Sequence, residues 1–141
     1  MNPRTFVACA AVVALCPLLG GASCEGRSVA NACDVLHGDV VVRNGEVVGT
    51  VRPVCDPPPQ SHLLKAVIEV AVGDTWIEFG RAAVVAGIPD ATGFDVEVRA
   101  ECREGVYRVK VHVEGAGPTG SPFVFDDTGP EMPIALVQCA G

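Results

Sequence analysis

Along much of the chain beyond residue 60, apolar and polar positions alternate one for one. Leu64, Ala66, Ile68, Val70 and Val72 share one parity and Lys65, Val67 and Glu69 the other, before Gly73-Asp74 leads into Thr75-Trp76-Ile77-Glu78-Phe79. A period of two marks a half-buried strand. The segment therefore predicts a hairpin on a two-residue turn, with Val70 beside Ile77 and Ile68 beside Phe79. The same register sets Glu69 opposite Glu78, a mildly unfavourable pairing. Upstream, Val40-Val41-Val42-Arg43 and Glu46-Val47-Val48 flank Asn44-Gly45, the dipeptide suited to a type I′ turn because both positions accept positive φ. Downstream, Phe94 to Cys102 and Val106 to Val113 alternate around Glu104-Gly105. Pairing Arg103 with Val106 places Cys102 opposite Tyr107, Ala100 opposite Val109, Val98 opposite Val111 and Val96 opposite Val113. That puts every apolar pair on one face and sets Glu101 with Arg108 on the other. Ser121 to Phe125 and Ile134 to Val137 predict two further strands, while Arg81 to Gly87 has room for a short helix but is too brief for periodicity to decide. About seven closely spaced strands without helical periodicity predict an all-β, antiparallel two-sheet sandwich.

Composition sharpens this picture. The chain of 141 residues contains 25 valines and only 5% aromatics, so its core must be built from small β-branched side chains that favour strands. Seventeen acidic against ten basic side chains leave a net charge of −7, and Lys65 and Lys110 are the only lysines. A nucleic-acid partner needs clustered cations and is excluded as an expectation.

The N-terminus reads as an address. Met1-Asn2-Pro3-Arg4 precedes an apolar run from Thr5 to Ala22 that ends in small residues, the pattern of a secretory signal over residues 1–23. Pro17 and Gly20-Gly21 argue against a permanent membrane helix, which needs about 20 uninterrupted residues. Of seven cysteines, Cys9 and Cys16 leave with the signal, and an exported chain usually pairs the remainder. Two cuts leave an even number for pairing. Gly21-Ala22-Ser23-Cys24 resembles a bacterial lipobox, which implies lipidation of Cys24 and a membrane anchor through residues 24–32 as a short tether. Alternatively, cleavage after Ala30-Asn31-Ala32 starts the mature chain at Cys33. The folded domain is then 33–141, secreted or held at the outer face of the membrane.

Four cysteines allow three pairings, and register ranks them. A two-residue Asn44-Gly45 turn carries Cys33 opposite Asp56, one residue past Cys55. A single bulge near Gly38, Gly49 or Pro53 corrects that offset and predicts Cys33 joined to Cys55 and Cys102 to Cys139, so that the sandwich is disulfide-stapled.

Two resemblances add to this reading. Gly105-x-Tyr107-x-Val109-x-Val111, a glycine-rich turn and Gly120-Ser121-Pro122-Phe123-x-Phe125 resemble the last hairpin of filamin-type immunoglobulin-like repeats, which implies an immunoglobulin-like sandwich. The set Cys55-x-Pro57-Pro58, His62, Trp76, Cys102, Gly105-x-Tyr107-Arg108 and Cys139 resembles small exported proteins of high-GC Gram-positive bacteria, a resemblance that implies an address and no activity.

Candidate chemistry is sparse. His37, His62 and His112 show no metal-ligand spacing and read as solvated side chains, so no metal or cofactor is expected. No Gly-x-Ser-x-Gly is present. Glu69 and Glu78 read as exposed carboxylates without the cleft a glycosidase pair requires. The chain is therefore expected not to be an enzyme. The remaining binding candidates are the rigid loop Pro57, Pro58 and Pro59, the adjacent His62, and Trp76 as a sheet-edge seal or platform. Together they suggest a non-catalytic exported binding or structural module for an extracellular protein, glycan or small ligand. The alternative is a secreted inhibitor, acting through the proline loop, or a small-ligand carrier.

Overall fold

The computed structural model describes residues 32–141. The expected signal, residues 24–31 of the tether and Cys24 lie outside the described residues. The strands are β1 (Cys33–His37), β2 (Val41–Arg43), β3 (Glu46–Cys55), β4 (Ser61–Val72), β5 (Thr75–Val85), β6 (Val96–Glu101), β7 (Gly105–Ala116), β8 (Pro122–Thr128) and β9 (Met132–Ile134), followed by a helical turn, α1 (Leu136–Cys139). The all-β expectation holds. The strands form an antiparallel sheet in the order β1-β3-β6-β5-β4-β7-β8, with β2 also on β3 and β9 also on β7.

The sheet curls into a half-barrel around a valine-rich core that includes Val47, Val51, Leu64, Ile68, Val98, Tyr107, Val109 and Val111. Two glycines permit the curl. Gly80 has φ +91, and an added Cβ there would lie 2.5 Å from the Arg99 carbonyl oxygen. It sits where the β4–β5 register shifts between Ala66 and Ile68, and where β5 joins β6 through the single pair Arg81–Arg99. Gly49 on β3 faces β7 so closely that a Cβ would lie 2.3 Å from a Val109 methyl, which brings strands from the two ends of the sheet together across the core. At the seam, His37 on β1 meets Asp127 on β8 at 3.1 Å.

The first hairpin has the expected turn, with φ of 54° at Asn44 and 75° at Gly45 and Arg43 paired with Glu46. The offset is absorbed before β2. His37 pairs with Val51 and the Gly38 amide donates to the Thr50 carbonyl, but Val41 pairs with Val48, so Asp39 and Val40 together oppose Gly49. This bulge places Cys33 opposite Cys55, and the two are disulfide-bonded, as are Cys102 and Cys139. The β4–β5 hairpin has the expected register, Glu69 opposite Glu78 included.

Two expectations are corrected and one open segment is decided. β6 and β7 do not form a hairpin: β6 pairs with β3, Val98 opposite Gly49, while β7 pairs with β4, Val109 opposite Ile68. Both strands keep their apolar parity toward the core, so the alternation is satisfied equally by strands that face each other across it. The connection arches instead, and the buried Tyr107 hydroxyl donates to the Arg103 carbonyl at 2.9 Å. Residues 81–85 continue β5 rather than forming a helix, because the bulge at Gly80 carries the pairing with β4 onward to Leu64–Val85. Finally, the C-terminal strand ends at Ile134. Leu136–Cys139 is a helical turn, closed by the Ala135 amide donating to the Gln138 side chain at 2.7 Å, and it carries Cys139 to Cys102.

Candidate functional site

His62 belongs to the apolar parity of β4, next to Leu64 and Ala66, and this parity faces the core. Its neighbour across the ladder is Gly115 on β7, whose own neighbour on β8 is Phe123. A Cβ on Gly115 would lie 2.8 Å from the Phe123 ring and 2.2 Å from the Ser61 carbonyl oxygen, so only glycine allows this approach. The His62 and Phe123 rings come to 6.4 Å between centroids, tilted by 47°. His62 is 4% exposed, and neither ring nitrogen has a hydrogen-bond partner among the described residues. Burial lowers its pKa from the ordinary histidine value; the Gly87 backbone opposes this without reaching hydrogen-bond geometry. The ring is therefore neutral at pH 7, with one donor and one acceptor unused.

These residues line a cleft of about 730 Å³ together with Gln60, Ser61, Leu63, Ala86, Ile88, Glu114, Pro122 and Val124. That volume suits a small molecule. The lining is mainly apolar, with Ile88 and Val124 exposed, and Glu114 is its only carboxylate.

The expectation that His62 is solvated is thus corrected. β4 places it on the inward parity, which the sequence did not reveal because the strand start lies beside the proline loop. His37 is also largely buried, with one nitrogen on Asp127, whereas His112 is exposed and bonded to Asp126 at 2.8 Å. Pro57 and Pro58 are exposed and Pro59 is buried. Their loop leads directly into Gln60 but contributes no cleft lining.

Trp76 lies elsewhere. It pairs with Ala71, nine residues from His62 along β4, roughly 30 Å away. The Arg108 guanidinium covers one face of its ring at 4.0 Å from the centroid. Arg108 in turn donates to Glu69 at 2.8 Å, and Lys110 lies 3.7 Å from the same carboxylate. Glu69 is therefore not the exposed carboxylate expected: its side chain is 6% exposed and is held by two cations, while Glu78 takes Lys65 at 3.3 Å. Lys65, Glu78, Lys110, His112 and Asp126 line a second cleft of about 290 Å³ whose charges are all paired.

Sequence reasoning missed Phe123, Gly115, Ile88 and Val124 as cleft residues. Phe123 and Gly115 become neighbours only through the β7–β8 register. Among the described residues no group of three or more His, Cys, Asp or Glu side chains is placed to hold a metal ion. No protein-family model, curated protein or solved structure matches the chain.

Proposed function

We propose that this domain is a non-catalytic binding module, secreted or held at the outer face of the cell envelope, that takes its ligand in the His62–Phe123 cleft. The observation that carries this reading is a buried imidazole with both nitrogens unpartnered on the wall of an apolar cleft of small-molecule size. Buried polar groups are nearly always paired, and an exception calls for a functional reason. The two disulfides are consistent with an extracellular location. Export through residues 1–23, with Cys24 lipidated or lost, belongs to the same proposal; intact mass of the native protein distinguishes the two forms.

For the finer architecture we propose an immunoglobulin-like two-sheet sandwich, one sheet built on β1, β2, β3 and β6 and the other on β4, β5, β7, β8 and β9. Its support is the single pair that joins β5 to β6, the contact of Gly49 with Val109, and the bond from Tyr107 back to Arg103, which resembles the tyrosine corner of such sandwiches. The small-ligand carrier alternative shares the cleft. The inhibitor alternative rests on exposed Pro57 and Pro58, and a protease-inhibition screen tests it.

The cleft reading is tested by two-dimensional amide NMR during titration with a fragment library. Saturable shifts centred on His62, Gly115 and Phe123 are expected. Saturable shifts centred on the proline loop or on Trp76, with the cleft silent, overturn it.

A further inference from the structure

Resting on that cleft as the binding site, we infer that its ligand is a largely apolar small molecule without negative charge that bears one hydroxyl or amide group, which His62 recognises. Three features of the lining define this class. The walls formed by Leu63, Ala86, Ile88, Pro122, Phe123 and Val124 offer apolar surface and an aromatic ring. No lysine or arginine lines the cleft, its one charged side chain is Glu114, and the chain carries a net charge of −7, so nothing compensates a bound anion. Lastly, a neutral imidazole carries one N–H and one lone pair, both buried in the free protein and reached only as the lining moves aside, and these complement a hydroxyl or amide that both donates and accepts.

The energetics point the same way. A buried donor and acceptor without partners carry a desolvation penalty in the free protein. A ligand that supplies the missing partner removes the penalty, whereas an apolar ligand of equal size leaves it in place. The site therefore discriminates by the presence of a hydrogen-bonding group more sharply than by the shape of the apolar body. Ile88 and Val124, 49% and 65% exposed, are the lining side chains freest to move as a ligand seats.

Three matched probes test the inference: 1-naphthol, naphthalene and 1-naphthoate, titrated into the folded domain at pH 7.5 and followed by probe fluorescence. We expect 1-naphthol to bind about fivefold or more tightly than naphthalene, the effect of one neutral hydrogen bond, and 1-naphthoate to bind most weakly. His62→Leu should abolish the preference, bringing 1-naphthol and naphthalene to equal affinity. Should His62→Leu fail to fold, the wild type serves. The His62 ring nitrogens, followed by 15N NMR at pH 7.5, must then shift on addition of 1-naphthol and stay unmoved on addition of naphthalene. A 1-naphthol preference that leaves both ring nitrogens unmoved overturns the inference. Equal affinity for naphthalene and 1-naphthol, or tightest binding of 1-naphthoate, overturns the ligand class and leaves the cleft standing as a site. Absence of binding by all three removes both the ligand class and the cleft reading on which it rests.

Discussion

β4 buries two polar side chains, one near each end, and treats them in opposite ways. Glu69 and His62 are each 4% exposed. Around Glu69 the fold has assembled a complete set of partners: Arg108 at 2.8 Å, Lys110 at 3.7 Å, and Trp76 stacked over the far side of the guanidinium. Around His62 there are Phe123, Gly115 and apolar cleft walls, and no partner for either nitrogen among the described residues. The same strand, flanked by β5 and β7 at Glu69 but by β7 alone at His62, thus supports a satisfied charge at one end and an unsatisfied dipole at the other. The difference teaches which end serves the fold. A buried carboxylate without cations would be strongly destabilising, so the partners of Glu69 are a condition of folding. A neutral imidazole costs far less to leave unpaired, which is what makes it tolerable as a recognition group.

The sharpest way to break this comparison is to remove the charge that is partnered. Glu69→Gln leaves Arg108 half-buried without its carboxylate. Breaking a fully buried pair costs about 3–5 kcal/mol, and because the Arg108 side chain retains 20% exposure the expected loss is lower, about 2 kcal/mol. Urea unfolding followed by Trp76 fluorescence measures it. A loss below about 0.5 kcal/mol would show that the cluster around Glu69 is no more structural than His62. Trp76→Ala removes the ring that shields Arg108, and about 1 kcal/mol is expected from the lost cation–π contact and burial. Far-UV circular dichroism is the readout here, since the variant lacks the fluorophore. The effect should shrink when the Glu69→Gln change is already present, since the two share Arg108.

The β4–β5 register at the partnered end was legible in the sequence, whereas the partners of Glu69 and the whole surroundings of His62 were not. Local signals, Asn44-Gly45 and Gly73-Asp74, fix hairpins whose partners are adjacent in the chain, and from them the registers of β2 with β3 and β4 with β5 follow, Glu69 opposite Glu78 included. The disulfides followed from the same arithmetic plus one bulge. The failure at β6–β7 has the same physical root. Alternation specifies which face is buried and says nothing about which strand lies alongside. Gly105 lacks the positive φ seen at Gly73, and the segment arches across the core with Tyr107 tied to Arg103. Everything that depends on non-local pairing was hidden with it: the cations that reach Glu69 from β7, the Gly115–Phe123 neighbours of His62, and the cleft itself.

Acid sharpens the comparison from the other end. Burial depresses the His62 pKa below its unfolded value, so below about pH 6.5 the unfolded chain binds more protons at this residue than the native one. The sign follows: the contribution to stability is complete above that pH and declines as pH falls, until the native ring itself protonates. However far the native pKa is lowered, linkage caps the loss at pH 6 at about 0.8 kcal/mol. Urea midpoints of wild type and His62→Leu, measured between pH 7.5 and 5.5, should diverge by this component, with the wild type losing more.

At pH 7.5 the same substitution should have the smallest effect of all. Leucine is close to histidine in volume, keeps the contact with Phe123 and Leu64 apolar, and removes two polar atoms whose desolvation nothing in the described structure offsets. The lost ring packing and the relieved desolvation act in opposite directions, so His62→Leu is expected within about 0.5 kcal/mol of wild type or somewhat more stable. Residues with a structural role do not behave this way: Glu69→Gln, on the same strand at the same exposure, should cost about four times as much or more. A destabilisation above about 1 kcal/mol for His62→Leu would mean that the imidazole has found a partner in solution, with the Gly87 carbonyl the nearest candidate. The two ends of β4 would then be alike, and the reason for placing recognition at one of them would be gone.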